Sequence, residues 1–193
     1  MSLLHVRTRP ITVEEFNLMA EKGILAPDER VELIEGAIVP LSPQNKPHSD
    51  AISWTNNLLV ELFGKTHLVR VQLPLDLSPY SEPEPDFAVV LKECLAKVKR
   101  HPTGADLIIE VAQTSLAYDR YEKASLYARF GIPDYWVLNT VDGCLEVHRA
   151  PKVDAAAPFG YSYAERQVYL PDQTVAPCAL PPHPIQVSKL TGP

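Results

Sequence analysis

The sequence predicts one α/β domain: a mixed central sheet flanked by helices, with an extra hairpin near its C-terminal end. Three observations lead there. The runs Phe87-Ala88-Val89-Val90 and Leu107-Ile108-Ile109 are apolar without alternation, as central strands covered on both faces are. Between residues 106 and 138 the pattern reads strand, helix, strand, the order of a right-handed crossover between parallel strands. Helices with their own start and stop signals stand before and between these strands.

The elements follow in order. Thr12 and Glu15 make a capping box, so a helix is expected from Thr12 to Lys22, with Phe16 and Met19 on one buried face and Gly23 closing it. Gly36, in the middle of Val31 to Val39, predicts a hairpin or tight bend between two short strands. Leu41 to Pro47 reads as a loop. A second helix is expected from His48 to Phe63, on the spacing of Ile52, Thr55, Leu59 and Leu62, with Gly64 after it. Strands are expected over His67 to Leu77, Asp86 to Leu91, Asp106 to Ala112 and Tyr135 to Leu138. A helix over Leu116 to Phe130 precedes the last of them and is stopped by Gly131 and Pro133. Leu145 to His148 and Tyr161 to Leu170 form the hairpin at the sheet edge. A chain of 193 residues fits one such domain, assigned to residues 1–176, and can bury a core without staples. The proline-rich tail, 177–193, is expected to be partly disordered.

Composition narrows the function. A 46% hydrophobic and 22% charged chain is ordinary for a globular protein. It has no apolar run of the roughly 18 residues that spanning a bilayer takes, and its N-terminal segment lacks the pattern of a secretory signal. A cytoplasmic location and no membrane partner are expected. Cys94, Cys144 and Cys178 are scattered and odd in number, which argues against a disulfide framework or a cysteine zinc site. A net charge of −6 argues against tight non-specific nucleic-acid binding, which rests on neutralising phosphates, but is compatible with an enzyme that meets DNA briefly. No glycine-rich phosphate loop, Gly-x-Ser-x-Gly elbow or His-Glu-x-x-His helix is present.

Three acids draw attention: Glu35 at the hairpin, Asp86 opening one apolar strand after Pro85, and Glu110 ending another. A carboxylate inside a run that otherwise reads as core is costly to bury unless it is paired or bound to a metal. Side chains from adjacent strands can converge on one magnesium ion; strand-end carboxylates can also simply stand at the solvent rim.

Several segments together resemble the Uma2 family of restriction-endonuclease-like proteins. They are Val31-Glu32-Leu33-Ile34-Glu35-Gly36, Ser42-Pro43 with His48 downstream, Pro85-Asp86-Phe87-Ala88-Val89-Val90, Ile109-Glu110-Val111, Asp119 with Lys123 and Tyr127, and Gly131-Ile132-Pro133-Asp134-Tyr135-Trp136. The resemblance runs from about Thr12 to Arg149. It implies a PD-(D/E)XK core, metal-dependent nuclease activity on DNA, Mg2+ (or Mn2+) as cofactor, and a homodimer. It assigns the metal to Glu35, Asp86 and Glu110. The motif's lysine, two residues after the second acid, is replaced here by Ala112, and the resemblance points to Lys123 as its substitute.

The residues themselves leave alternatives. Lys123 is either the site lysine or half of a surface pair with Asp119, worth about 0.3–0.5 kcal/mol. Gln72 is an extra polar group of the site or a solvent-facing strand residue. His48 is a proton shuttle or phosphate contact, or plain surface at a helix start. The basic stretch Lys92 to His101, with Lys97, Lys99 and Arg100, is a phosphate-gripping arm or a solvated segment. Tyr135 and Trp136 read as core or dimer-interface aromatics. The expected activity is hydrolysis of DNA phosphodiesters. The alternatives are a catalytically inactive nuclease-fold scaffold or nucleic-acid-binding module, favoured by Ala112 and the acidic charge, and a different metal-dependent hydrolase.

Overall fold

The structure, a computed structural model, describes residues 8–41, 45–95 and 100–192. Its centre is a six-stranded mixed sheet of β3 (His67–Val71), β4 (Phe87–Leu91), β5 (Leu107–Ala112), β6 (Asp134–Asn139), β7 (Cys144–Val153) and β8 (Tyr161–Tyr169), in that spatial order. All neighbours are antiparallel except β5 and β6, which run parallel and are joined through a helical segment. β4, β5 and β6 lie inside the sheet and are covered on both faces. Phe87, Val89, Leu107, Ile109 and Trp136 pack on one side; Ala88, Val90, Ile108, Tyr135 and Val137 pack on the other. That two-sided cover is why these strands are apolar without alternation. β7 and β8 form the expected edge hairpin, with β7 longer than the sequence suggested.

α1 (Val13–Glu21) carries the capping box, Thr12 Oγ1 accepting from Glu15 N and Glu15 accepting from Thr12 N. It packs against a small hairpin of β1 (Val31–Ile34) and β2 (Ala37–Pro40), with Val13, Phe16 and Leu33 as a satellite core. Glu35 and Gly36 form its two-residue turn, with φ of 49° and 80°. Positive φ at both central positions is the type I′ geometry that matches strand twist. Gly36 is also required by space, since a Cβ there would stand 2.3 Å from Pro10 Cβ.

α2 (Lys46–Phe63) starts two residues before His48, because Asn45 caps it and Pro47 fits the first turn, where its missing N–H costs nothing. Ala51, Leu59 and Phe63 bury its inner face on the sheet. β3 ends at Val71, short of Leu77. Gln72, at φ 50°, breaks the strand, and its backbone N donates to Asp86 O instead. Opposite α2, residues 116–129 form α4 (Leu116–Tyr118), a π turn over Asp119–Lys123, and α5 (Ala124–Arg129). A short α3 (Lys92–Leu95) follows β4.

The proline-rich tail, expected to be partly disordered, packs onto the domain over its described residues. β9 (Thr174–Val175) pairs with β10 (Ile185–Gln186), and α6 (Ser188–Thr191) lies on α2. Leu180, Ile185, Val187 and Leu190 are buried in the main core, and Thr55 Oγ1 donates to Leu190 O at 2.9 Å. Each such side chain contributes about 1.5–3 kcal/mol on burial, which outweighs the proline-rich character of the connections. Among the described residues, no helix is long and apolar enough to cross a membrane.

Candidate active site

The β4–β5 pairing brings the two strand acids together. Phe87 sits opposite Ile109, so Asp86 and Glu110 lie at one corner of the ladder. Their backbone and side chains interlock: Asp86 N donates to Glu110 Oε2 at 3.1 Å, and Val111 N donates to Asp86 Oδ2 at 2.8 Å. Gln72 Nε2 donates to Asp86 Oδ1 at 3.0 Å. His48 Nε2 stands 3.3 Å from the same oxygen, off the line of a good hydrogen bond. Burial pushes the Asp86 carboxyl up, but His48, Gln72 and the Val111 amide more than offset it, leaving its pKa below the usual value. His48 is shifted the other way, chiefly by its contact with Asp86.

Glu110 is the more strained acid. It is 5% exposed, and burial, with repulsion from Asp86, Asp119 and Glu32, raises its pKa to about 8 despite Lys123. Its Oε1 accepts from Lys123 Nζ at 3.2 Å and from Tyr127 OH at 2.8 Å. Lys123, 3% exposed, also donates to Glu32 Oε2 at 2.6 Å. Burial alone would strip its proton, yet Glu110 and Glu32 hold its pKa well above normal. The lysine is a buried member of the cluster and not a surface partner of Asp119.

The π turn makes this possible. Ala124 N donates to Asp119 O, five residues back, and the widened turn buries both Asp119 and Lys123. Tyr135 OH donates to the same Asp119 O at 2.9 Å, bracing the turn from β6. Burial lifts the Asp119 carboxyl to about 6.

Glu35 does not join the cluster, contrary to expectation. At the tip of the β1–β2 turn its carboxylate accepts from Ser81 Oγ at 2.9 Å and from Arg129 at 2.5 Å. Glu32, three residues earlier within β1 and 1% exposed, takes the inward place and accepts from Lys123 and from Glu84 N. The readable signal was the turn itself: Glu-Gly at the two central positions of a hairpin puts Glu35 at the tip, while Glu32 lies within the strand.

These groups wall a cavity of about 90 Å³, shared by Arg30, Glu84, Gln113, Ser115 and Tyr118. That is room for about three waters, or for an ion and part of its hydration shell. Five carboxyl groups, Glu32, Glu84, Asp86, Glu110 and Asp119, line it with Lys123 and Arg30. The donors are hard oxygens and the charge is unbalanced toward the negative, so the residues fit a magnesium-type cation. Among the described residues no three His, Cys, Asp or Glu side chains are spaced around one point as ligands. Asp86 and Glu110 are a pair, and magnesium commonly takes one or two carboxylates, with waters and substrate phosphate completing its shell.

The basic stretch does not reach this cavity where it is described. Arg100 pairs with Glu82 at 3.0 Å, and Lys92 donates to Gly64 O at 2.6 Å; Lys97 and Lys99 lie outside the described residues, as do Ser42 and Pro43. Trp136 is fully buried, its Nε1 donating to Asp134, and so is core.

The mixed sheet and its flanking helices define a restriction-endonuclease-like α/β protein. Residues 13–186 match the model of Uma2, described as a putative restriction endonuclease, and the chain belongs to that family. The fold is shared with the crystal structure of a putative nuclease belonging to DUF820 from Anabaena variabilis ATCC 29413, with a TM-score of 0.70 and 16% identity over 94% of this chain and 98% of that one. The type IIG restriction endonuclease BpuSI gives a TM-score of 0.36 at 18% identity over 57% of this chain and 13% of that one, a likeness too slight to carry an argument. No curated protein matches.

Proposed function

We propose that this chain hydrolyses phosphodiester bonds in DNA, using Mg2+ or Mn2+ held by Asp86 and Glu110. The observation that carries the reading is the meeting of Asp86, Glu110 and Lys123 in one acid-walled cavity. A divalent ion bound there supplies Lewis-acid polarisation of a phosphoryl oxygen and a bound water of lowered pKa.

The protein's own groups do the rest. Gln72 and Val111 N orient Asp86, and Tyr127 and Asp86 N orient Glu110, so neither carboxylate has to reorganise on binding. Lys123 places a fixed positive charge beside them for the attacking water or the charge that builds on the phosphoryl group. Glu32 is a positioning residue that holds the Lys123 ammonium in place. The inactive-scaffold alternative drew its support from Ala112 and from the acidic net charge, and Lys123 beside Glu110 weakens the first of these grounds.

The test is cleavage of single- and double-stranded oligodeoxynucleotides with Mg2+ or Mn2+. Wild-type protein should cleave at least one of them, and Glu110→Ala should not. Equal rates for the two proteins, or no cleavage by either, would remove the hydrolytic reading.

A further inference from the structure

The cavity holds two groups that the proposed reaction leaves unused. Tyr118, at the end of α4, turns its hydroxyl into the wall, where it is buried and has no hydrogen-bond partner. Most buried polar atoms are satisfied, so an orphaned hydroxyl in a cavity marks the place of a missing acceptor. Burial and the surrounding carboxylates hold its pKa well above the usual tyrosine value, so it remains a neutral donor.

Arg30 is the second. It is exposed at the cavity rim, just ahead of β1. Arg9, Arg100, Arg120, Arg129, Arg149 and Arg166 are each ion-paired, whereas Arg30 and Arg70 have no such partner among the described residues, and of these two Arg30 lines the cavity while Arg70 donates to Pro74 O. Its field nevertheless reaches Glu84 and His48. A polyanion approaching this acid-walled opening meets like charge, and a free guanidinium at the rim is the group that offsets it.

We propose that Tyr118 and Arg30 form a two-point grip on the nucleic-acid backbone, Arg30 donating to a non-bridging phosphate oxygen at the cavity mouth and Tyr118, its hydroxyl turning out of the wall, donating to one inside. This rests on the phosphodiester reading and extends it to how the substrate is held. Tyr118 is the inner, neutral contact and Arg30 the outer, charged one.

The test is fluorescence anisotropy with fluorescein-labelled single- and double-stranded oligodeoxynucleotides, with Ca2+ present as an oxygen-seeking cation. Cleavage and thermal melting are measured on the same proteins. Tyr118→Phe should weaken binding about three- to tenfold, the worth of one hydrogen bond. Its melting temperature should stay the same or rise, because an unsatisfied buried hydroxyl is removed. Arg30→Gln should weaken binding about tenfold and lower the duplex salt slope by about 0.9, while Arg30→Lys keeps the slope and recovers part of the affinity. Lys152→Gln, at the exposed end of β7, should change nothing.

Tyr118→Phe and Arg30 variants that bind and cleave like wild type overturn the grip alone. Binding that depends on both residues without any cleavage supports the grip and overturns hydrolysis. Wild-type protein that neither binds nor cleaves overturns both.

Discussion

Lys123 Nζ stands 3.2 Å from Glu110 Oε1 although the two are 13 residues apart, one on the π turn and the other on β5. The helical segment that follows β5 therefore brings a buried ammonium back to that strand's acid. Because that ammonium lies between Glu110 and Glu32, its removal leaves two buried carboxylates without their cation.

Lys123→Met should lower stability by about 3–5 kcal/mol, the cost of breaking a buried pair from one side. Adding Glu32→Gln should recover part of the loss, which a double-mutant cycle in urea would read as a favourable coupling. Additive losses would mean that the two side chains do not interact.

The exchange of Glu35 for Glu32 makes a second prediction. Glu35→Gln should keep full cleavage activity and lose at most about 1 kcal/mol, since its pair with Arg129 is partly exposed. Glu32→Gln should lower kcat at least about tenfold, by freeing Lys123 from its position. Activity assays that rank the two variants in the opposite order would restore Glu35 to the site.

A third prediction concerns pH and lies away from the site. Burial, with Asp76 beside it, raises the Glu82 carboxyl from 4.5 to about 7, against the pull of Asn17 and Arg100. With the folded pKa above the unfolded one, the native state binds the extra proton, so this group's stabilisation is full below about pH 4.5 and is lost as pH rises to about 7. Glu82→Gln should flatten the fall in melting temperature across that window. An unchanged slope would show that Glu82 does not titrate there.

Much of this was legible in the sequence, and the omissions have physical reasons. Asp86 and Glu110 stood out because each borders or interrupts an apolar run, where an acid is costly unless it is used. The strands of the sheet were readable for the same reason: two-sided burial leaves no alternation. Glu32 was not, because Val-Glu-Leu-Ile-Glu offers two acids, and only the I′ turn after them decides which points inward. Lys123 was ambiguous because spacing of four from Asp119 reads as a surface pair on an α-helix, and a π turn has no sequence signature as plain as that. Tyr118 and Arg30 carry no local signal, since their place depends on walls contributed by distant segments. The tail misled through its prolines, while Leu180, Ile185, Val187 and Leu190 were there to be counted as core.

Calorimetric titration of Mg2+ into the metal-free protein bears most directly on the carboxylate pair. Wild-type protein should take up one ion, and Asp86→Asn and Glu110→Gln should take up none. A wild-type protein that binds no ion, or variants that bind as it does, would contradict the assignment of this corner as a metal centre.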